Sequence, residues 1–550
     1  MNPALIFIGA GAASLFWSAA CTAAGVRCHR PWLRRLLLVL GLLAPLLTLL
    51  PWLVGTSMLA FLAELEVNWF GPVLSLFISA LIGGGWILKA GTQPHGGGWA
   101  TVPAASWPVG SLFALFLLAK AGTAGAVLML DRAAFAASSR LYVEASDLMK
   151  VNLPPAENDN TNAAGIYKAA FVLLEEDLAL GQKDSPLGDT AVDPTSPAVI
   201  DLLDRHAPTL TLLRTAAERD GCRFPRDWTR PSFEMLLPEL QHLRQAGRLV
   251  RIAALQAAAS GRSADAIHDV GLLARISRHA ASEPLLISGL VGIAIDAMAL
   301  DTLAAILPQL TATDRPLLND ELLNDLLVLS PSLTRHFYGE EAFGLRTFAA
   351  LADASLGMEI LGMVQPTANQ QPPSLSLLYG SPALTFYRIF LLPDDLAGYR
   401  HAMRTQQQIA AQAMPYAEKQ TQIAALESQL NEKRPGILSA VILPSLAGEL
   451  RAEARSQVRH RAAQAAVAAT RMRLETGSLP ENLARLVPSA FPAPPLDLFT
   501  ADQPLQYRMT DDALLIYSVG PNGVDDGGPS RPEADGQSSN DDIGLRLSIQ

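Results

Sequence analysis

Four long apolar runs crowd the first 132 residues, and they constrain the fold more than any other feature of the chain. They cover Ala4–Val26, Leu36–Leu62, Phe70–Leu88 and Val109–Leu130. A helix needs about 20 apolar residues to cross the hydrocarbon core of a bilayer. Buried in lipid, the backbone must satisfy its own hydrogen bonds, so each run is expected as a transmembrane helix. The second carries Pro45 and Pro51 and no polar turn, which predicts one kinked or tilted helix. No Lys or Arg precedes Arg27, so the first run differs from an ordinary signal peptide.

Charge fixes the expected orientation. Arg27, Arg30, Arg34 and Arg35 fill the first loop, Glu64 and Glu66 the second, and Lys89 the third. Basic loops stay cytoplasmic, which places the N-terminus and everything after Asp131 outside the cytoplasm. Residues 1–132 hold seven Lys/Arg against three Asp/Glu, a balance of +4. With a net charge of −10 for the whole chain, the remainder carries −14. An acidic body of this kind excludes nucleic acid as a partner, because phosphate binding needs clustered Lys and Arg. At 550 residues the chain divides into two or three domains. Cys21, Cys28 and Cys222 form no disulfide framework or zinc spacing. Lys120, deep in the fourth run, reads either as a packed or snorkelling lysine or as part of an ion path.

Residues 133–449 read as helical, with apolar residues at three- and four-residue steps. Punctuated loops break the pattern at 153–160, 181–197 and 365–382. Asn and Asp residues of the first loop are placed to cap a helix from about Asn162 that carries Tyr167 and Phe171. A helical hairpin is expected over Leu236–Arg278, turning at Ser260-Gly261-Arg262-Ser263; Gly261 and Ala266-Ile267 resemble one tetratricopeptide unit. No metalloprotease, nucleophile-elbow, phosphate-loop or dinucleotide motif occurs. The candidate acid–base residues are His336 and Glu340, one turn apart across Gly339, and the His268/His279 face with Asp269 and Glu283 nearby. They support a membrane-bound hydrolase as the alternative reading. Capping, ion pairing and burial explain the same residues structurally.

The tail, 450–550, is different. A helix over Arg451–Glu475 should stop at Thr476-Gly477, and Pro480 should open a short helix over Glu481–Val487. Leu505–Arg508 and Leu514–Ser518 read as strands turning at Thr510-Asp511-Asp512. Next comes a loop crowded with glycines and carboxylates, Gly520-Pro521-Asn522-Gly523-Val524-Asp525-Asp526-Gly527-Gly528, and then Asp541-Asp542-Ile543. Hard oxygen donors on a glycine loop suit Ca²⁺. A solvated acidic loop is the alternative.

The order Gly477, Pro480, Leu486-Val487-Pro488, Asp497, Pro504, Tyr507, Ser518, Gly520, Asn522-Gly523, Asp525-Asp526 and Asp541-Asp542-Ile543 resembles the globular domain of the major pseudopilins of type II secretion systems. The resemblance covers about the last 100 residues. It implies a small sheet packed on the helix and a structural Ca²⁺ in the loop, held by carboxylates from Asp525, Asp526, Asp541 or Asp542 with Ser518 or loop carbonyls completing the shell. Leu498 stands where that family has proline, 527–540 is a longer insert, and the helix before the module is charged, unlike that of a processed pilin. The whole layout also resembles bacterial envelope proteins ending in Ser-Val-Gly-Pro-Asn-Gly-x-Asp-Asp-Gly-Gly, a family that implies no activity.

The expected protein is therefore mostly α. A four-helix transmembrane domain (1–132) leads to an α-helical extracytoplasmic domain (133–449) and a pseudopilin-like α+β module (450–550). The expected role is structural or protein-interacting, in the inner membrane, with the lipid bilayer and a protein as partners.

Overall fold

The computed structural model describes Cys21, scattered positions between 32 and 40, Ala133, Leu326, Leu327, and residues 136–153, 161–179, 192–229, 235–319, 333–353, 387–412, 414–432, 436–500, 503–529 and 541–549. Apart from Cys21, Leu36, Val39 and Leu40, the four expected spans lie outside the described residues, as do Cys28, Lys120 and the 365–382 joint. The chain divides into two compact units, 1–138 with 350–393 and 139–349 with 394–550. In the first, a single π-type turn at Tyr387–Leu391 is anchored by Arg388, whose Nε donates to the Ala352 carbonyl at 3.0 Å.

The second unit is mostly helical, with a small sheet near its C-terminus. Its helices are α1 (136–152, entering this unit at residue 139), α2 (Ala164–Ala179), α3 (Pro197–Arg205), α4 (Ala207–Ala217), α5 (Pro238–Ala259), α6 (Ser263–Ala280), α7 (Leu286–Ile306), α8 (His336–Ala352), α9 (Leu392–Ala411), α10 (Tyr416–Glu432) and α11 (Leu446–Thr476). The expected hairpin is α5 and α6, and α7 packs against both. Apolar side chains at helical spacing build this layer: Leu243, Leu249, Val270, Leu273, Ile276, Ile295, Leu300 and Leu303 are all buried in one core. Each such burial stabilises the fold by about 1.5–3 kcal/mol. Among the described residues, one helical stretch, Leu286–Gln309, is long and apolar enough to cross a membrane; 61% of its apolar window is buried inside the fold.

Asn162 begins α2 as the sequence suggests, but it does more than cap. Its Oδ1 accepts from Ala164 N at 3.1 Å and from Arg223 N at 3.0 Å, while its Nδ2 donates to Arg223 O at 3.0 Å. One amide thus stitches α2 to the segment after α4.

Helix α11 starts on Ser445, whose hydroxyl accepts from Gly448 N, and ends on Gly477 in the left-handed conformation, φ 84°. Its buried face is a run of alanines, Ala462, Ala463, Ala465, Ala466 and Ala469, which lets α7 and the sheet approach closely. A domain boundary at 450 would fall inside this helix, and the sheet shares its core with α5–α7.

The sheet is antiparallel in the order β1 (Gln506–Met509), β2 (Ala513–Ser518), β3 (Ile543–Ser548), with Gln506 opposite Tyr517 and Ser518 opposite Ile543. Strand alternation sends Leu514, Ile516, Leu545 and Leu547 into the main core, and Ala513, Leu515 and Tyr517 into a small cluster on the other face. The expected helix after Pro480 is a single 3-10 turn, Leu483–Leu486.

Candidate functional site

The loop after β2 is organised by a buried carboxylate. Asp497 accepts from Ser518 Oγ at 2.7 Å, Phe499 N at 2.8 Å and Val519 N at 3.3 Å. Ser518 in turn accepts from Gly520 N at 2.9 Å, so its hydroxyl is the hub that ends β2 and turns the chain. Gly520 sits at φ 69°, and a Cβ there would lie 2.0 Å from the Asp541 carbonyl oxygen; only glycine fits.

Beyond that turn three of the predicted carboxylates, Asp525, Asp526 and Asp542, accept from donors of the loop, of β2 or of the β3 entry. Asp525 Oδ1 accepts from Tyr517 OH and Gly527 N, both at 2.9 Å. Asp526 Oδ2 accepts from Asn522 Nδ2 and Asp541 N, both at 3.2 Å. Asp542 Oδ2 accepts from Gly528 N at 2.6 Å, and Asp541 lies 3.6 Å from Arg455. Burial pushes the Asp542 carboxyl up, the amides of Gly528 and Asp526 pull it down, and the charges of Asp525 and Asp526 raise it further. Burial and the Asp525 carboxylate push the Tyr517 phenol up to about 12. Among the described residues, no group of three His, Cys, Asp or Glu side chains is assembled to hold a metal ion. The donor chemistry does suit a hard cation: all-oxygen, on a glycine loop, with like charges close enough to perturb one another.

The candidate acid–base residues are engaged elsewhere. His336 Nε2 bonds the Ala281 carbonyl at 3.1 Å, and Arg335 Nη2 donates to the same oxygen at 2.7 Å. Glu340 accepts from Leu286 N at 3.1 Å, capping α7, and burial pushes its carboxyl above the ordinary range. Gly339, between His336 and Glu340, does not interrupt the helix. It lies inside α8, where a Cβ would sit 1.5 Å from the Pro284 carbonyl oxygen. This turn of α8 therefore clamps the 281–286 connection.

His279 bonds Tyr167 OH at 2.9 Å and the Arg219 carbonyl at 3.0 Å, and burial lowers its imidazole to about 4. His268 is only half-buried on the same helix. Asp269 receives a bidentate pair from Arg214, at 2.9 and 2.7 Å. Glu283, at 3.0 Å from Arg226 and accepting from Phe224 N, is pushed up to about 7 by burial, against the pull of Arg226. These acids serve arginines, not histidines.

A further polar cluster escaped the sequence reading. Asp296 of α7 accepts from His460 Nε2 at 2.8 Å and Ser456 Oγ at 3.3 Å, both on α11 and one turn apart. It opens onto a cleft of about 400 Å³ that Asp301, Arg455, Arg459 and Asp542 also line. The available signal was Asp296 itself, the first charge after Leu286 in an apolar helix. No family model, curated protein or solved structure matches the chain.

Proposed function

We propose that the chain is a membrane-anchored structural or protein-interaction protein of the bacterial envelope, with a pseudopilin-like C-terminal module completed by Ca²⁺. The observation that carries the reading is the folded tail: a three-stranded antiparallel sheet packed on a glycine-capped helix, with Asp525 and Asp526 in the loop after β2 and Asp541 and Asp542 at the entry to β3. Bound there, Ca²⁺ would neutralise the mutual repulsion of these carboxylates and tie the loop to the start of β3. Ser518 supports the site from below, through Asp497 and the Gly520 amide. The four apolar runs and their basic loops support a multi-pass inner-membrane anchor with the body outside the cytoplasm, where calcium is plentiful enough for a weak site. The resemblance to pseudopilins supports a role in secretion or envelope assembly.

Limited proteolysis of the full chain in detergent tests the ion. Calcium should slow cutting within 519–549 several-fold relative to chelator, and Asp525→Asn with Asp526→Asn should remove the difference. Equal rates in wild-type protein would refute the calcium site. Crosslinking in intact cells tests the role, and a chain recovered only by itself would refute an interaction protein.

A further inference from the structure

We infer that the cleft between α7, α11 and β3 binds a small organic cation, a primary ammonium on a short aliphatic body, through the Asp296 carboxylate at its floor. At about 400 Å³ the cleft is at the small end of ligand pockets. Asp296 is 3% exposed, and both of its donors, His460 and Ser456, bond Oδ2. Among the described residues no donor bonds Oδ1, and the side chain lines the cleft. Oδ1 therefore keeps its acceptor capacity for a donor that enters the cleft.

His460 Nδ1 is buried without a partner among the described residues, so the ring meets Asp296 through Nε2 alone. The arginines are committed at the mouth: Arg455 lies 3.6 Å from Asp541, and Arg459 pairs with Asp301.

The lining selects the ligand class. An anion would meet three carboxylates, Asp296, Asp301 and Asp542. A neutral apolar molecule would leave Oδ1 unpaired. A bare divalent ion needs six or more oxygens, on the order of what Ca²⁺ sites supply, and the floor offers one carboxylate and one hydroxyl. An ammonium group can donate to Oδ1 and to the Ser456 oxygen, while its alkyl body lies on Ile293, Ala297, Leu300 and Ile543.

Isothermal titration of the full chain in detergent, with n-pentylamine, 1,5-diaminopentane and n-pentanol, tests the site. The amines should bind about tenfold or more tightly than the alcohol. Asp296→Asn should weaken the amines by a similar factor. So should Ala452→Leu, which adds bulk to the cleft wall at a residue outside the Asp296–His460 pair. Affinity should be the same in calcium and in chelator. Absence of amine binding, equal binding of the alcohol, competition by calcium, or binding that survives both substitutions would overturn the proposal.

Discussion

Glu283 and His279 should pull the pH dependence of stability in opposite directions over the same range, and single substitutions should separate them. Glu283 has its carboxyl raised from about 4.5 to about 7 in the fold, by burial first. Between those values the unfolded chain releases its proton while the folded chain keeps it, so stability falls as pH rises. At about 1.4 kcal/mol per pH unit, the full effect is about 3 kcal/mol. His279 is lowered from 6.5 to about 4, also by burial. Between those values the unfolded chain takes up a proton that the folded chain refuses, so stability falls as pH drops, again by about 3 kcal/mol. In wild-type protein the two slopes oppose each other from about pH 4.5 to 6.5. Urea titrations of the full chain in detergent, followed by circular dichroism, read the difference directly. Relative to wild type, Glu283→Gln should gain stability by about 3 kcal/mol on going from pH 4.5 to 7. His279→Asn should instead gain by about 3 kcal/mol on going from pH 6.5 to 4. Any pH-independent cost of either change shifts its curve without tilting it. Variant and wild-type curves that run parallel would refute the reading of both groups as buried and unable to charge freely.

Gly339→Ala tests the clamp by its sign. Helix preference alone favours alanine by about 1 kcal/mol, whereas a Cβ against the Pro284 carbonyl should cost about 3 kcal/mol. A lowered melting temperature is expected, and a raised one would place the 281–286 connection elsewhere. Asp497→Ala strips acceptors from Ser518 Oγ and the amides of Phe499 and Val519. It should cost about 3 kcal/mol and speed amide exchange in β2 well before α5 and α6. Tyr167→Phe leaves His279 Nδ1 without its hydroxyl and should cost about 1 kcal/mol, read by the same urea titration.

Local pattern and long-range contact divide what was legible in this chain. The α5–α6 hairpin, the stop at Gly477, the start of α2 at Asn162 and the strands around Thr510-Asp511-Asp512 each depend on neighbours within a few residues, and the sequence marks all of them. Strand β3 was not read from the sequence, although Ile543-Gly544-Leu545-Arg546-Leu547-Ser548 alternates with period two, because Asp541-Asp542-Ile543 reads as the end of a loop motif. The need for Gly339 has no local mark, because its reason lies across the fold, at a carbonyl 55 residues away by sequence number. The carboxylate loop was legible as a list of residues, but Asp497, which holds Ser518 beneath it, could be matched only as part of a motif and not as a support.

The Asp296–His460 pair, 164 residues apart, has no local signature on the α11 side. Its trace is energetic. A carboxylate in the middle of an apolar helix must find a partner or stay neutral, so such a charge predicts a tie even where the partner is unknown. The same argument fits Arg226, buried between Glu239 and Glu283, and Arg335, which reaches the carbonyls of Ala281 and Ser282. In a helical body as rich in leucine and alanine as this one, packing residues are numerous and largely interchangeable. The few charges set among them are not, because each is tolerated only where a particular distant group comes to meet it. Those residues fix how the helices are arranged, and Asp296 is one of them, tied to two positions of α11 through a single oxygen.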